Sequence, residues 1–174
     1  MVSRMSELVD HVDEQDRVLG TVDRSTAVRD GRLHRVATVV CRDPAGRILV
    51  HRRPSHASRF PGRYNWLIGG AVGAGESYEA AAARELAEEL GVRAPVRFVF
   101  KYLCQGEIGP YWLAVHEATV DGPVAPLPSE VSWHDWLTET GLTNAMRQYP
   151  FVTDSLEAYA RYAALRREDG PGVN

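Results

Sequence analysis

GAVGAGESYEAAAARELAEELGV, residues 70–92, is the stretch whose reading decides the fold. Its glycines at 70, 73 and 75 interrupt regular structure as far as Ser77, and a helix then starts and stops where local chemistry dictates. Ser77 is the N-cap, Glu79 lies in the first turn, and Gly91 follows the last helical residue. At about 100° per residue, Leu86, Leu90, Ala83 and Ala87 form one small apolar face, while Glu85, Glu88 and Glu89 share an edge. Like charges at i, i+3 and i+4 each oppose helix formation by about 0.2–0.5 kcal/mol, so three together call for a cation. Arg84 relieves one of them, most simply Glu88 at i+4. A cluster of hard oxygens suits Mg²⁺ or Mn²⁺ far better than Zn²⁺. An acidic run by itself reads as a solvated helix face, so the residues around it carry the decision.

Upstream, ELVDHVDEQDRVLGTVDR alternates apolar and polar residues around the polar tip 13–17, the pattern of a hairpin. RVATVVCR and RILVHRR flank Asp43-Pro44-Ala45-Gly46, a type I turn sequence, and form a second hairpin. Downstream, VRFVFKYL and YWLAVHEATV read as strands joined across QGEIGP, and a loop over 121–130 leads to the short strand VSWHDWL. The remainder is helical: residues 151–167 place Leu156, Tyr159, Tyr162 and Leu165 as a stripe for packing on a sheet. Residues 169–174 read as a frayed tail. Strands interleaved with single long helices predict an α/β sandwich with helices on both faces of a mixed β-sheet. At 174 residues, with no internal repeat or separating linker, the chain reads as a single domain, 1–174.

Lys and Arg number 20 against 23 Asp and Glu, and the net charge of −3 gives no global basic field for a nucleic acid polymer or a membrane. No apolar run approaches a membrane span, and the N-terminus carries no apolar signal core, so the expected location is cytoplasmic. Cys41 and Cys104 sit in separate strand-like stretches and read as reduced core thiols. The six His residues, at 11, 34, 51, 56, 116 and 134, show no ligand spacing and read as structural. Resolved along the chain, the small net charge hides two blocks: four arginines and no acid over 51–63, then five glutamates and one arginine over 76–89.

Read from Gly70, the central stretch is Gly70, five residues, Glu76, seven residues, Arg84-Glu85-Leu86, Ala87, Glu88-Glu89, Leu90, Gly91-Val92. It resembles the Nudix box GX5EX7REUXEEXGU at every position, where U is a bulky aliphatic residue. The resemblance extends to RILVHRR, FPGRYNW and the glycine-rich approach, and covers roughly residues 7 to 136. The N-terminal layout is similar to the subgroup that includes type 1 isopentenyl diphosphate isomerases. This resemblance implies a Nudix-type α/β/α sandwich. It also implies an Mg²⁺- or Mn²⁺-dependent hydrolase in which water cleaves the pyrophosphate bond of a nucleoside diphosphate linked to another group. It places the metal on Glu85, Glu88 and Glu89 with a backbone carbonyl at Gly69 or Gly70, and makes Glu85 the leading candidate for base, with Glu89 beside it as a catalytic carboxylate. Glu76 and Arg84 are expected to hold the carboxylates in place.

For substrate contacts the candidates are Arg52 and Arg53, with Arg59 and Arg63 in the same basic run, and Glu130 ahead of the last strand. Trp66, Trp112, Trp133, Trp136 and Tyr102 are available to stack a base, most of them being expected in packing. Loops 54–65, 105–110 and 121–130 are expected to set specificity. The partner is then a small nucleotide or diphosphate, with a homodimer left open. Two other functions compete. An isomerase needs a catalytic Cys and two further His, and the aligned positions here are Gly69, Ala71 and Ala27, with only His34 retained. A non-catalytic nucleotide-binding regulator tends to lose box residues, and none is lost here.

Overall fold

The computed structural model describes residues 6–170; the tail expected at 169–174 falls mostly outside the described residues. The first hairpin forms as expected, with β1 (Leu8–Val12) antiparallel to β2 (Val18–Asp23). At its tip, Asp13 Oδ1 accepts hydrogen bonds from the backbone N–H groups of Gln15 and Arg17, both at 2.9 Å. A short helix that the sequence reading missed, α1 (Arg24–Asp30), follows at once. Its caps were legible: Asp23 accepts from the Ser25 N–H, and Gly31 closes the helix at φ 66°.

The second hairpin, β3 (Arg35–Arg42) and β4 (Ile48–Arg52), turns at Asp43–Gly46 as expected, with the Gly46 N–H donating to the Asp43 carbonyl at 2.9 Å. The two strands then diverge, their Cα register being Arg42 opposite Ile48. Into the gap comes β6 (Ile68–Ala71), antiparallel to β3 from Val36 to Val39, while β4 pairs with β5 (Tyr64–Asn65) and β9 (Trp133–Leu137). On its other edge β3 runs parallel to β8 (Tyr111–Thr119), which pairs antiparallel with β7 (Arg97–Cys104). Among the described residues, seven strands therefore make one mixed sheet.

Strand alternation sends successive side chains to opposite faces and gives the sheet two cores. Val39, Leu49 and Ile68 pack with Ala82, Leu86 and Leu90 of α2 (Tyr78–Leu90). Val40, Val50 and Val115 face the other way, toward Leu142 of α3 (Glu139–Gln148) and Ala158 and Tyr162 of α4 (Thr153–Glu168). The α/β/α layering is as the sequence predicted. The stripe on the last helix holds in part: Tyr162 is buried and Tyr159 packs against the core, whereas Leu156 and Leu165 are exposed and Ser155 and Ala158 complete the buried face. Cys41 and Cys104 are free and buried, and burial pushes the Cys41 thiol up to about 12. No helix among the described residues is long and apolar enough to cross a membrane.

Candidate active site

Helix α2 is capped as its sequence demands, with Ser77 accepting from the Ala80 N–H and Gly91 in the left-handed conformation at φ 67°. Its buried face is rotated from the one expected. Ala81, Ala82, Leu86, Glu89 and Leu90 are buried, whereas Ala83 is exposed and Ala87 half-buried. The rotation carries two carboxylates toward the sheet. Glu89 is 8% exposed, and the Glu85 side chain 12%. β6 makes room for them because it presents glycine there: a Cβ built on Gly70 would lie 2.6 Å from Glu85 Oε1.

Arg84 does more than relieve Glu88. Its Nε and Nη2 fork both oxygens of Glu76 at 2.9 and 3.0 Å, Nη1 donates to Glu85 at 2.8 Å, and Nη2 reaches the Ala71 carbonyl at 3.1 Å. The contact with Glu88 is the loosest, 3.4 Å, and that carboxylate is 56% exposed on the rim. Glu76 also accepts from the Gly73 N–H at 2.8 Å, tying the helix back to the glycine-rich approach. Arg84 holds the Glu76 carboxyl below its usual range. Glu85 and Glu89 move the opposite way. Burial raises both, and the charge of Glu85 and then that of Glu130 push Glu89 further, with Arg53 opposing.

These side chains border a cavity of about 450 Å³. Glu85, Glu88, Glu89 and Glu130 line it together with Gly69 and Gly70, and so do Arg24, Arg53 and Arg59. Arg53 pairs with Glu130 at 3.2 Å and donates to the Arg59 carbonyl at 2.7 Å. Arg52 is not part of the wall: at the end of β4 its Nε donates to the Gly62 carbonyl while its guanidinium covers the Tyr64 ring. Arg63 likewise turns to Glu107 at 3.0 Å. All three loops expected to set specificity reach the cavity, through Arg59 and Phe60, Ile108, and Leu127 and Glu130.

The wall also holds residues without a sequence motif: Arg24, the first residue of the missed helix, and His34, His51, Tyr111 and Asp154, which only the fold brings together. Of the aromatics, Trp66 and Tyr102 are core residues, Trp136 packs beside α2, and the Trp112 indole donates to the Asp13 carbonyl at 3.1 Å. Trp133, 44% exposed, sits edge-on to Tyr64, outside this cavity.

Among the described residues, no three His, Cys, Asp or Glu side chains are gathered closely enough to hold a metal ion as they stand. The donor set still fits a hard divalent cation. Two buried carboxylates repel each other, a third waits on the rim, and the backbone of a glycine with no side chain adjoins them. Because the Arg84 fork serves Glu76 and Glu85 at once, Arg84→Lys is expected to weaken metal affinity by about 10–100-fold. Metal titration checks this, with activity partly recovered at higher metal concentration.

A family model described as the NUDIX domain matches residues 32–159, which take in the seven-stranded sheet, α2, α3 and the first part of α4. The chain belongs to the Nudix family. It is 45% identical over 175 residues to a Nudix hydrolase of Streptomyces coelicolor, SCO1686, covering 99% of this chain and 97% of that one. It is 39% identical over 136 residues to an isopentenyl-diphosphate Delta-isomerase of Nocardia farcinica, covering 74% and 78%. The crystal structure of DR0079 from Deinococcus radiodurans superposes with a TM-score of 0.76 at 29% identity, over 89% of this chain and 98% of that one. The mixed-sheet Nudix fold is thereby established. The family model begins after Arg24, so this arginine is brought to the site by an N-terminal extension of the Nudix core.

Proposed function

We propose that this Nudix protein is a hydrolase that cleaves the pyrophosphate bond of a nucleoside diphosphate linked to another group, by attack of water on phosphorus. What carries the reading is the buried Glu89 and the largely buried side chain of Glu85 in the same cavity as Arg24, Arg53 and Arg59. Glu85, Glu88 and Glu89, with the Gly70 backbone, would hold Mg²⁺ or Mn²⁺, which supplies the positive charge that pyrophosphate oxygens need as the bond breaks. Arg53 and Arg59 offer guanidinium donors to the same oxygens. Glu85, raised by burial and steadied by Arg84, is the carboxylate best placed to take the proton of the attacking water. Glu76 and Arg84 position it without touching substrate.

The isomerase relative gives a second reading, and the local packing opposes it. Ala27 and Ala71 lie in a small apolar cluster with Val9, and Gly69 is pressed against the β3 backbone. Neither alanine carries a side chain able to bind metal, and Gly69 has none to deliver a proton. A regulator that binds without cleaving is separated by activity alone. Purified protein with Mg²⁺ or Mn²⁺ is expected to release a phosphate product from at least one member of a panel of nucleoside di- and triphosphates, dinucleotides, nucleotide sugars and CoA; release from none removes the hydrolase reading. Metal at about a hundred times its Kd is expected to add about 2.7 kcal/mol of stability, and Glu89→Gln to lose most of that gain in a thermal melt.

A further inference from the structure

A second cavity, of about 460 Å³, lies between β9 and α3. It shares no lining residue with the catalytic one. Between them runs a wall of paired backbone, in which the Tyr64 N–H donates to the Pro150 carbonyl and the Val152 N–H to the Tyr64 carbonyl, both at 2.9 Å. β9 sets Trp133 opposite Arg52 and Asp135 opposite Val50, and strand alternation puts Trp133, Asp135 and Leu137 on one face, toward α3. The helix answers with small and amide side chains. Gly141, Asn144, Ala145 and Gln148 recur at spacings of three and four, which makes one helix face, and the glycine and alanine leave space that larger side chains would fill. Tyr149, the C-cap of α3, and Tyr64 have ring centroids 5.1 Å apart, while Trp133 meets Tyr64 edge-on at 5.7 Å. Trp133 and Tyr149 remain 44% and 50% exposed.

The charge of this lining has one sign. Asp135 supplies it, with one oxygen accepting from the Trp136 N–H at 2.8 Å, and among the described residues no Lys, Arg or His lines the cavity. The faces of Trp133, Tyr64 and Tyr149 are the negative sides of their ring quadrupoles, and the amides of Asn144 and Gln148 add carbonyl oxygens. Such a site repels a phosphate or a carboxylate. A hard metal ion finds a single carboxylate there, too little oxygen to replace its water. An organic ammonium ion meets both halves of the lining, its charge at the carboxylate and its carbon-bound surface on the rings. The Arg52 guanidinium shows the attraction at work: it lies 5.6 Å from the Tyr64 centroid, and leaves Trp133 and Tyr149 to a ligand. We propose that the cavity between β9 and α3 binds an organic ammonium ion on Trp133, Tyr149 and Asp135, as a second ligand site apart from the catalytic one. The inference does not depend on the hydrolase reading.

Choline and its neutral carbon isostere, 3,3-dimethyl-1-butanol, separate charge from shape. Each would be titrated into ¹⁵N-labelled protein at constant ionic strength, without metal or diphosphate, and the indole signal of Trp133 identified by its loss in Trp133→Leu. Choline is expected to move that signal and to bind at least about tenfold tighter than the alcohol. Asp135→Asn is expected to weaken choline about threefold and to leave the alcohol unchanged. Trp133→Leu, followed by calorimetry, is expected to bring the two ligands to within about threefold of each other. Both side chains are exposed, so the variants are expected to melt with the wild type. Equal binding of choline and the alcohol to the wild type overturns the assignment. So does choline binding that survives both substitutions unchanged, or that moves signals of the catalytic cavity while the Trp133 indole stays still.

Discussion

Glu85→Gln and Glu89→Gln are each expected to lower kcat/KM by at least about a hundredfold, or about 2.7 kcal/mol of transition-state stabilisation, while the metal-free protein melts no lower than the wild type. Both halves follow from the same burial. The carboxylates are held where a negative charge is poorly solvated and faces another, so the charged form is penalised in the folded chain. An amide of the same shape keeps the packing and removes the penalty. The sign can be checked by titration in EDTA. With a folded pKa above the unfolded value, the folded chain binds more protons than the unfolded one between the two values, so stability falls as pH rises through the folded pKa. Melting of the wild type is therefore expected to improve as pH is lowered through the raised folded pKa toward the ordinary carboxylate range, and the Gln variants to show a flatter profile. Activity in both variants equal to the wild type would place the metal site elsewhere.

Gly69→Ala and Gly70→Ala, adjacent and chemically identical changes, are expected to fail in different ways. A Cβ on Gly69 would stand 2.1 Å from the Ala37 carbonyl oxygen and 2.8 Å from Thr38 Cα. Those are backbone atoms of the neighbouring strand, and β3 and β6 can admit the methyl only by separating. The expected cost is about 3 kcal/mol or more, a fall of about 6–12 °C in melting midpoint for a domain of this size. A Cβ on Gly70 meets the carboxylate end of Glu85, which can swing aside. That variant is expected to stay within about 1 kcal/mol of wild-type stability and to lose about tenfold or more in kcat/KM, because Glu85 leaves its place beside Arg84. Thermal melts and steady-state kinetics on the pair separate the two effects; equal destabilisation of both variants would contradict the distinction.

Features set by local chemistry were legible in the sequence. The caps at Ser77 and Gly91, the turn at Asp43–Gly46 and the complete box spacing each depend on neighbours within a few residues. Features set by distant strands were not. The hairpin of β3 and β4 looks continuous until β6 is inserted, and that insertion turns Glu85 and Glu89 from an apparent polar edge into buried groups. Arg52 and Arg53 are equivalent in a basic run, but Arg52 ends β4 against Tyr64 whereas Arg53, just past the strand, reaches the cavity. Helix α1 was missed because seven residues carrying one buried side chain, Ala27, show no apolar period. His51 and Asp154 belong to no motif, and nothing short of the fold brings β4 and α4 to one wall.

The central claim is that water, activated beside Glu85, attacks phosphorus. It is tested most directly by turnover in H₂¹⁸O, with each product of the best diphosphate substrate weighed by mass spectrometry. The account predicts one solvent oxygen per turnover, carried on the phosphate group of a single product, and none in the Glu85→Gln variant within the same time. Recovery of the substrate as an unlabelled isomer, or as unchanged material bound but never cleaved, would contradict it.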